Sequence, residues 1–142
     1  MPIYSMEGNI GVGKTTFINM VKKMYPSKKI IVLEEPVDEW LSIKNCDNKN
    51  ILELFYADQN KYAFSFQMMA YISRLALLKQ TLKQNPHAII ITERSVYTDK
   101  HIFAKMLYDD GKIEKINYEI YNKWFEHFAE DIPISKIIYL QC

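Results

Sequence analysis

Four short stretches are near-continuously apolar, where a half-exposed strand would alternate: residues 2–6, 30–33, 88–92 and 134–140, the last including Ile137-Ile138-Tyr139-Leu140. Runs of this kind belong to strands covered on both faces, as in a parallel sheet flanked by helices. Glu7-Gly8 closes the first run, Pro36 soon follows the second, and the third leads into Glu93-Arg94. Between the runs the apolar spacing lengthens. Tyr71, Leu75, Leu78 and Leu82 recur at steps of four, three and four, which predicts an amphipathic helix over 60–84 ended by Asn85-Pro86. Further helices are predicted over 14–24, 95–108 and 114–130, with Asp109-Asp110-Gly111 as a turn. The order β, α, β, long α, β, α, α, β predicts an α/β domain with a parallel sheet and right-handed crossovers.

Composition narrows the function. A chain of 142 residues, 49% hydrophobic and 25% charged, suits one domain, residues 1–142. With 18 basic and 17 acidic residues, the net charge of +1 argues against binding nucleic acid or an anionic membrane by bulk charge. Cys46 and Cys142 are too few for a disulfide framework or a zinc site, and no window approaches the about 18 apolar residues that span a bilayer. The expectation is a soluble protein of a reducing intracellular compartment, the cytoplasm first, with mitochondria and nucleus open. Arg74 and Arg94 are the only arginines among the 18 basic residues, so their positions carry information.

Gly8-Asn9-Ile10-Gly11-Val12-Gly13-Lys14-Thr15, followed by Thr16, fits the pattern G-x-x-x-x-G-K-[ST] between a predicted strand and a predicted helix. Glycines let the backbone close around phosphate with its N–H groups pointing inward, and a helix N-terminus adds partial positive charge. In such a loop Lys14 reaches the β- and γ-phosphates and the Thr15 hydroxyl holds Mg²⁺. The bland alternative, a glycine turn beside an incidental lysine, does not explain the strand-loop-helix context.

Ligands of open α/β sheets sit beyond the carboxyl ends of the strands, which points to Glu34-Glu35 and Glu93-Arg94. Neighbouring strand residues face opposite ways, so one of the two glutamates should face a site, and periodicity leaves both open. On the long helix Gln67, Ala70 and Arg74 share a face offset from the leucine seam. A glutamine amide offers a donor and an acceptor side by side, as the edge of cytosine or adenine requires, and Phe66, Phe103 and Trp40 could wall the ring. His87, His101 and His127 show no metal spacing.

Together, Glu7-Gly8-Asn9-Ile10-Gly11, Glu35-Pro36-Val37 with Trp40, Phe66-Gln67, Glu93-Arg94-Ser95 and Ile138-Tyr139-Leu140-Gln141 resemble the deoxyribonucleoside kinases. Gln67, Ala70, Ser73-Arg74 and Ser95-Val96-Tyr97-Thr98-Asp99 bring the deoxycytidine and deoxyguanosine branch nearest. The resemblance implies a three-layer P-loop NTPase fold, a parallel β-sheet flanked by helices with four of the family's five strands. It implies phosphorylation of a deoxyribonucleoside 5′-hydroxyl by ATP or another nucleoside triphosphate with Mg²⁺, and a homodimer. Glu35 would be the general base, Glu93 the acid near Mg²⁺ beside Thr15, and Arg94 the arginine near the transferring phosphoryl group. Phe103 would stack on the base, Tyr56 would meet the sugar 3′-hydroxyl, and Arg74 with Asp99 would contact the base edge and disfavour thymine.

In the family the fourth strand leads into an arginine-rich lid, further helices and a fifth strand, so the resemblance implies a domain truncated at its C-terminus. Two other readings remain beside it: a nucleotide-binding fragment impaired in catalysis for want of the lid, or another small P-loop kinase, such as a nucleoside monophosphate kinase.

Overall fold

The computed structural model describes residues 3–8, 13–129, 134 and 136–140. The elements in chain order are β1 (Ile3–Gly8), α1 (Lys14–Met24), β2 (Ile30–Leu33), α2 (Val37–Ser42), α3 (Ile51–Ala57), α4 (Gln59–Gln84) and β3 (Ile89–Glu93). There follow α5 (Val96–Thr98), a π-helical segment (Asp99–Ala104), α6 (Lys105–Asp109), α7 (Lys115–Ala129) and β4 (Lys136–Leu140). The strands form one sheet in the order β2-β3-β1-β4, every pair parallel, as an α/β fold requires.

The chain divides into two compact units. The first comprises Met1–Glu35, Leu78–Ser95 and Ile132–Cys142, and the second Pro36–Leu77 and Val96–Asp131. In the first unit α1 lays Phe17 and Val21, one turn apart, against Tyr4, Met6, Ile89 and Ile91. Those strand residues alternate along β1 and β3 and so share one face of the sheet. The opposite face carries Ile3, Ser5, Ile90 and Thr92, all buried. Ser5 lies beside Thr92 in the register.

The apolar runs are not equally covered. Residues 3–6 and 89–92 of the central strands are buried, but every residue of β2 is half-buried and Ile137 of β4 is 62% exposed. The expectation of strands covered on both faces therefore holds for β1 and β3 and fails at the two edges. An apolar run reports the faces of a strand and says nothing of its neighbours, so hydropathy does not reveal which strand lies at an edge.

In the second unit Phe55, Ala63, Leu107 and Ile113 form the core, flanked by Tyr62, Phe66, Tyr108 and Tyr118. Tyr108 stacks on Tyr118 with ring centroids 4.3 Å apart. The buried Tyr71 hydroxyl donates to the Trp124 carbonyl at 3.1 Å, which ties α4 to α7. On α7 Tyr121 is buried while Trp124 is exposed.

Helices α2 and α3 were not separately expected. Asn50 caps α3: its side-chain oxygen accepts from the Glu53 N–H at 2.9 Å, and its side-chain amide donates to the Glu53 carboxylate at 2.8 Å. The single helix expected over 95–108 is interrupted by the π-helical segment, an irregularity without a composition signal and often found at functional sites. Among the described residues no helix is long and apolar enough to cross a membrane.

Candidate active site

At the carboxyl ends of β2 and β3 the two glutamates differ. Glu34 is exposed, whereas Glu35 is half-buried and its Oε1 lies 3.5 Å from Arg94 Nη1. Glu93 ends β3 and is half-buried. Arg94 stands in the left-handed region with φ 60°, uncommon for a residue that is not glycine. Two hydrogen bonds hold its backbone: the Arg94 N–H donates to the Met6 carbonyl at 2.8 Å, and the Thr92 hydroxyl donates to the Arg94 carbonyl at 2.7 Å. On β1 the Ser5 hydroxyl donates to Glu7 Oε1 at 2.6 Å.

Gly8 ends β1 with φ 88°, a conformation in which a side chain would be strained. Gly13 precedes α1 and accepts from the Phe17 N–H at 2.9 Å. Thr15 and Thr16 are exposed in the first turn of α1, where helix N–H groups lack intrahelical partners. Asn9, Ile10, Gly11, Val12 and the Lys14 side chain lie outside the described residues.

A second group of candidates is assembled in the other unit, along α4. Arg74 Nε donates to Asp99 Oδ2 at 2.9 Å, with side chains 9% and 7% exposed. Gln67 and Ala70 are buried on the same helix, and Gln67 Oε1 finds no hydrogen-bond partner among the described residues. The Trp40 indole N–H donates to Ser73 Oγ at 2.7 Å, while the Trp40 ring meets Phe66 edge-on at 5.5 Å. Phe66 in turn stacks on Phe55 at 4.9 Å. Phe103 is half-buried in the π-helical segment, and Tyr56 is 74% exposed at the end of α3. The Tyr121 hydroxyl is buried without a hydrogen-bond partner among the described residues; burial raises its pKa above the ordinary tyrosine value, and the Asp99 carboxylate adds to that.

The family model described as deoxynucleoside kinase matches residues 4–142. The chain belongs to that family. Its relatives among the deoxynucleoside kinases include human deoxycytidine kinase, 31% identical over 96% of this chain and 60% of its own length. The probable deoxycytidine kinase of fowlpox virus (strain NVSL) is 38% identical over 96% of this chain and 54% of its own. The mitochondrial deoxyguanosine kinase of Xenopus laevis is 31% identical over 96% of this chain and 57% of its own. The chain thus spans under two-thirds of the length of these relatives.

Reading for deoxynucleoside kinase motifs names Glu35, Arg94, Arg74 and Asp99, includes Ser73 only within Ser73-Arg74, and passes over the hydroxyls of Thr92 and Tyr121. Ser73 anchors Trp40, Thr92 holds the Arg94 carbonyl, and Tyr121 lies buried on α7. Thr92 had a signal, since it is the polar position closing an isoleucine run. Tyr121 had none, because a tyrosine at helical spacing reads as packing.

Proposed function

We propose that the chain transfers the γ-phosphoryl group of ATP, or of another nucleoside triphosphate, to the 5′-hydroxyl of a deoxyribonucleoside. The observation that carries this reading is the Glu35–Arg94 pair at neighbouring strand tips in a chain of this family. Glu35 accepts the 5′-hydroxyl proton as the sugar oxygen bonds to the γ-phosphorus. The bond from that phosphorus to the β–γ bridging oxygen breaks, leaving a nucleoside diphosphate. Arg94 offers a fixed fork to the charge on the transferring group, and Lys14 offers a point charge to the β- and γ-phosphates.

Gly8, Asn9, Ile10, Gly11, Val12, Gly13, Thr15 and Thr16 complete the triphosphate cradle in this proposal. The donor set fits Mg²⁺. The exposed Thr15 hydroxyl and the Glu93 carboxylate are hard oxygen donors, and no cluster of three His, Cys, Asp or Glu ligands occurs among the described residues. A Mg²⁺ held mainly by phosphates needs only one or two protein oxygens. When bound, the ion neutralises phosphate charge.

The base is read by Gln67 and by Arg74 with Asp99, against Trp40, Phe66, Ala70 and Phe103, while Tyr56 meets the 3′-hydroxyl. A carboxylate only accepts hydrogen bonds, so Asp99 favours an exocyclic amino group over a carbonyl oxygen. Deoxycytidine or a purine deoxynucleoside is therefore preferred to thymidine, and the named kinases among the relatives support that preference. A homodimer in a reducing intracellular compartment completes the proposal, the first supported by the family resemblance and the second by the free, exposed Cys46.

The test is incubation with γ-labelled ATP, Mg²⁺ and, in turn, each of four deoxynucleosides and each of their 5′-monophosphates. Labelled monophosphate, most from deoxycytidine or a purine deoxynucleoside and least from thymidine, is the expected result. Label passing only to nucleoside monophosphates would overturn the reading in favour of a monophosphate kinase.

A further inference from the structure

Thr92 is 5% exposed and follows Ile89, Ile90 and Ile91 in the middle of the sheet. Valine has nearly the same shape and would suit a buried strand at least as well. What distinguishes threonine here is its hydroxyl, which donates to the Arg94 carbonyl two residues on, at 2.7 Å. That bond acts on a backbone with φ 60°, a conformation whose penalty for a side-chain-bearing residue is of the size one hydrogen bond can offset. The Arg94 N–H is fixed separately, on the Met6 carbonyl of the neighbouring strand at 2.8 Å. The peptide groups on both sides of the Arg94 Cα are thereby set, and with them the direction in which the side chain leaves the strand.

We infer that Thr92 is a positioning residue for phosphoryl transfer: its hydroxyl locks Arg94 in the left-handed conformation and so aims the guanidinium at Glu35. The inference rests on the proposed roles of Glu35 and Arg94 and adds a residue to them. Without the hydroxyl, Arg94 relaxes toward negative φ, its Cβ swings, and the 3.5 Å approach to Glu35 opens.

The chain holds only two arginines, so a ¹⁵N-arginine spectrum contains two Nε–Hε signals, one for Arg94 and one for Arg74 as an internal reference. In Thr92→Val the Arg94 signal is expected to move or broaden while the Arg74 signal stays, and Thr92→Ser is expected to restore the original spectrum. Thr92→Ala serves as a second truncation if the valine variant does not fold. In the kinase assay Thr92→Val lowers kcat about tenfold with KM for either substrate nearly unchanged, as expected when geometry rather than binding is lost, and Thr92→Ser recovers it. An Arg94 signal unmoved in a folded hydroxyl-free variant would overturn the inference. Absence of product from the unmodified chain would instead overturn the kinase reading, and the spectra would still decide whether Thr92 aims Arg94.

Discussion

The two arginines of this chain each face a carboxylate, and the two pairs differ in almost every physical respect. Arg74 and Asp99 meet at 2.9 Å with side chains 9% and 7% exposed, held between α4 and the start of the π-helical segment. Arg94 and Glu35 stand 3.5 Å apart with 43% and 24% exposure, at strand tips, on a backbone with φ 60°. Desolvated charges cannot part without one being stranded, so the buried pair is fixed and suited to reading a rigid base edge. A long, half-exposed pair is held weakly and can exchange its partner for a substrate group. In the proposed function, burial separates the arginine assigned to the base edge from the arginine assigned to the phosphoryl group.

The sharpest way to break this comparison is to strand one charge of the buried pair. Asp99→Ala should cost about 3–5 kcal/mol of stability by urea unfolding, because the Arg74 guanidinium loses its buried partner. Arg74→Met combined with Asp99→Ala should cost much less than the two single changes added together. In a competition assay the double variant should also accept thymidine, and unchanged base preference would remove the pair from the base pocket.

At the other pair the expected effect is on rate. Glu35→Gln should lower turnover by roughly 10²–10⁴-fold while changing stability by less than about 1 kcal/mol, since the ion pair it dissolves is half-exposed. A large loss of stability there would erase the contrast between the pairs.

Smaller effects sharpen the picture around the buried pair. Ser73→Ala leaves the buried Trp40 indole N–H without its acceptor and should cost about 1–3 kcal/mol, read from the urea midpoint. Burial pushes the Tyr71 phenol up from 10.0 to about 12, with Tyr97 adding to the shift, and raises Tyr121 as well. A raised folded-state value means that the folded protein keeps the proton longer than the unfolded chain does. The stability these phenols contribute is therefore full below pH 10 and is lost as the pH rises from there through about 12. Unfolding midpoints measured from pH 8 upward should fall above pH 10, and less steeply in Tyr71→Phe.

Much of this was legible in the residues, for reasons that differ from element to element. The 14–24 helix and the 30–33 strand are found where periodicity sets them, because their apolar patterns end at clear breakers. Glu35 and Arg94 could be named because ligands collect at strand ends. Periodicity left both glutamates open; the family resemblance named Glu35, and its carboxylate lies 3.5 Å from Arg94. The order of the strands was not legible, since β2 and β4 are as apolar as the central strands while lying at the edges. Nor was the left-handed turn at Arg94, because nothing in Thr92-Glu93-Arg94 marks a positive φ as glycine would.

The most direct test of the central claim follows one turnover of labelled phosphate in three proteins side by side: the unmodified chain, Glu35→Gln, and Arg74→Met with Asp99→Ala. The expected result is that Glu35→Gln binds ATP and deoxycytidine normally but transfers label at least about a hundredfold more slowly, while the double variant keeps the transfer step and changes only which base it accepts. Transfer at an undiminished rate by Glu35→Gln, or loss of the transfer step in a folded double variant, would contradict the division of labour between the two arginine pairs.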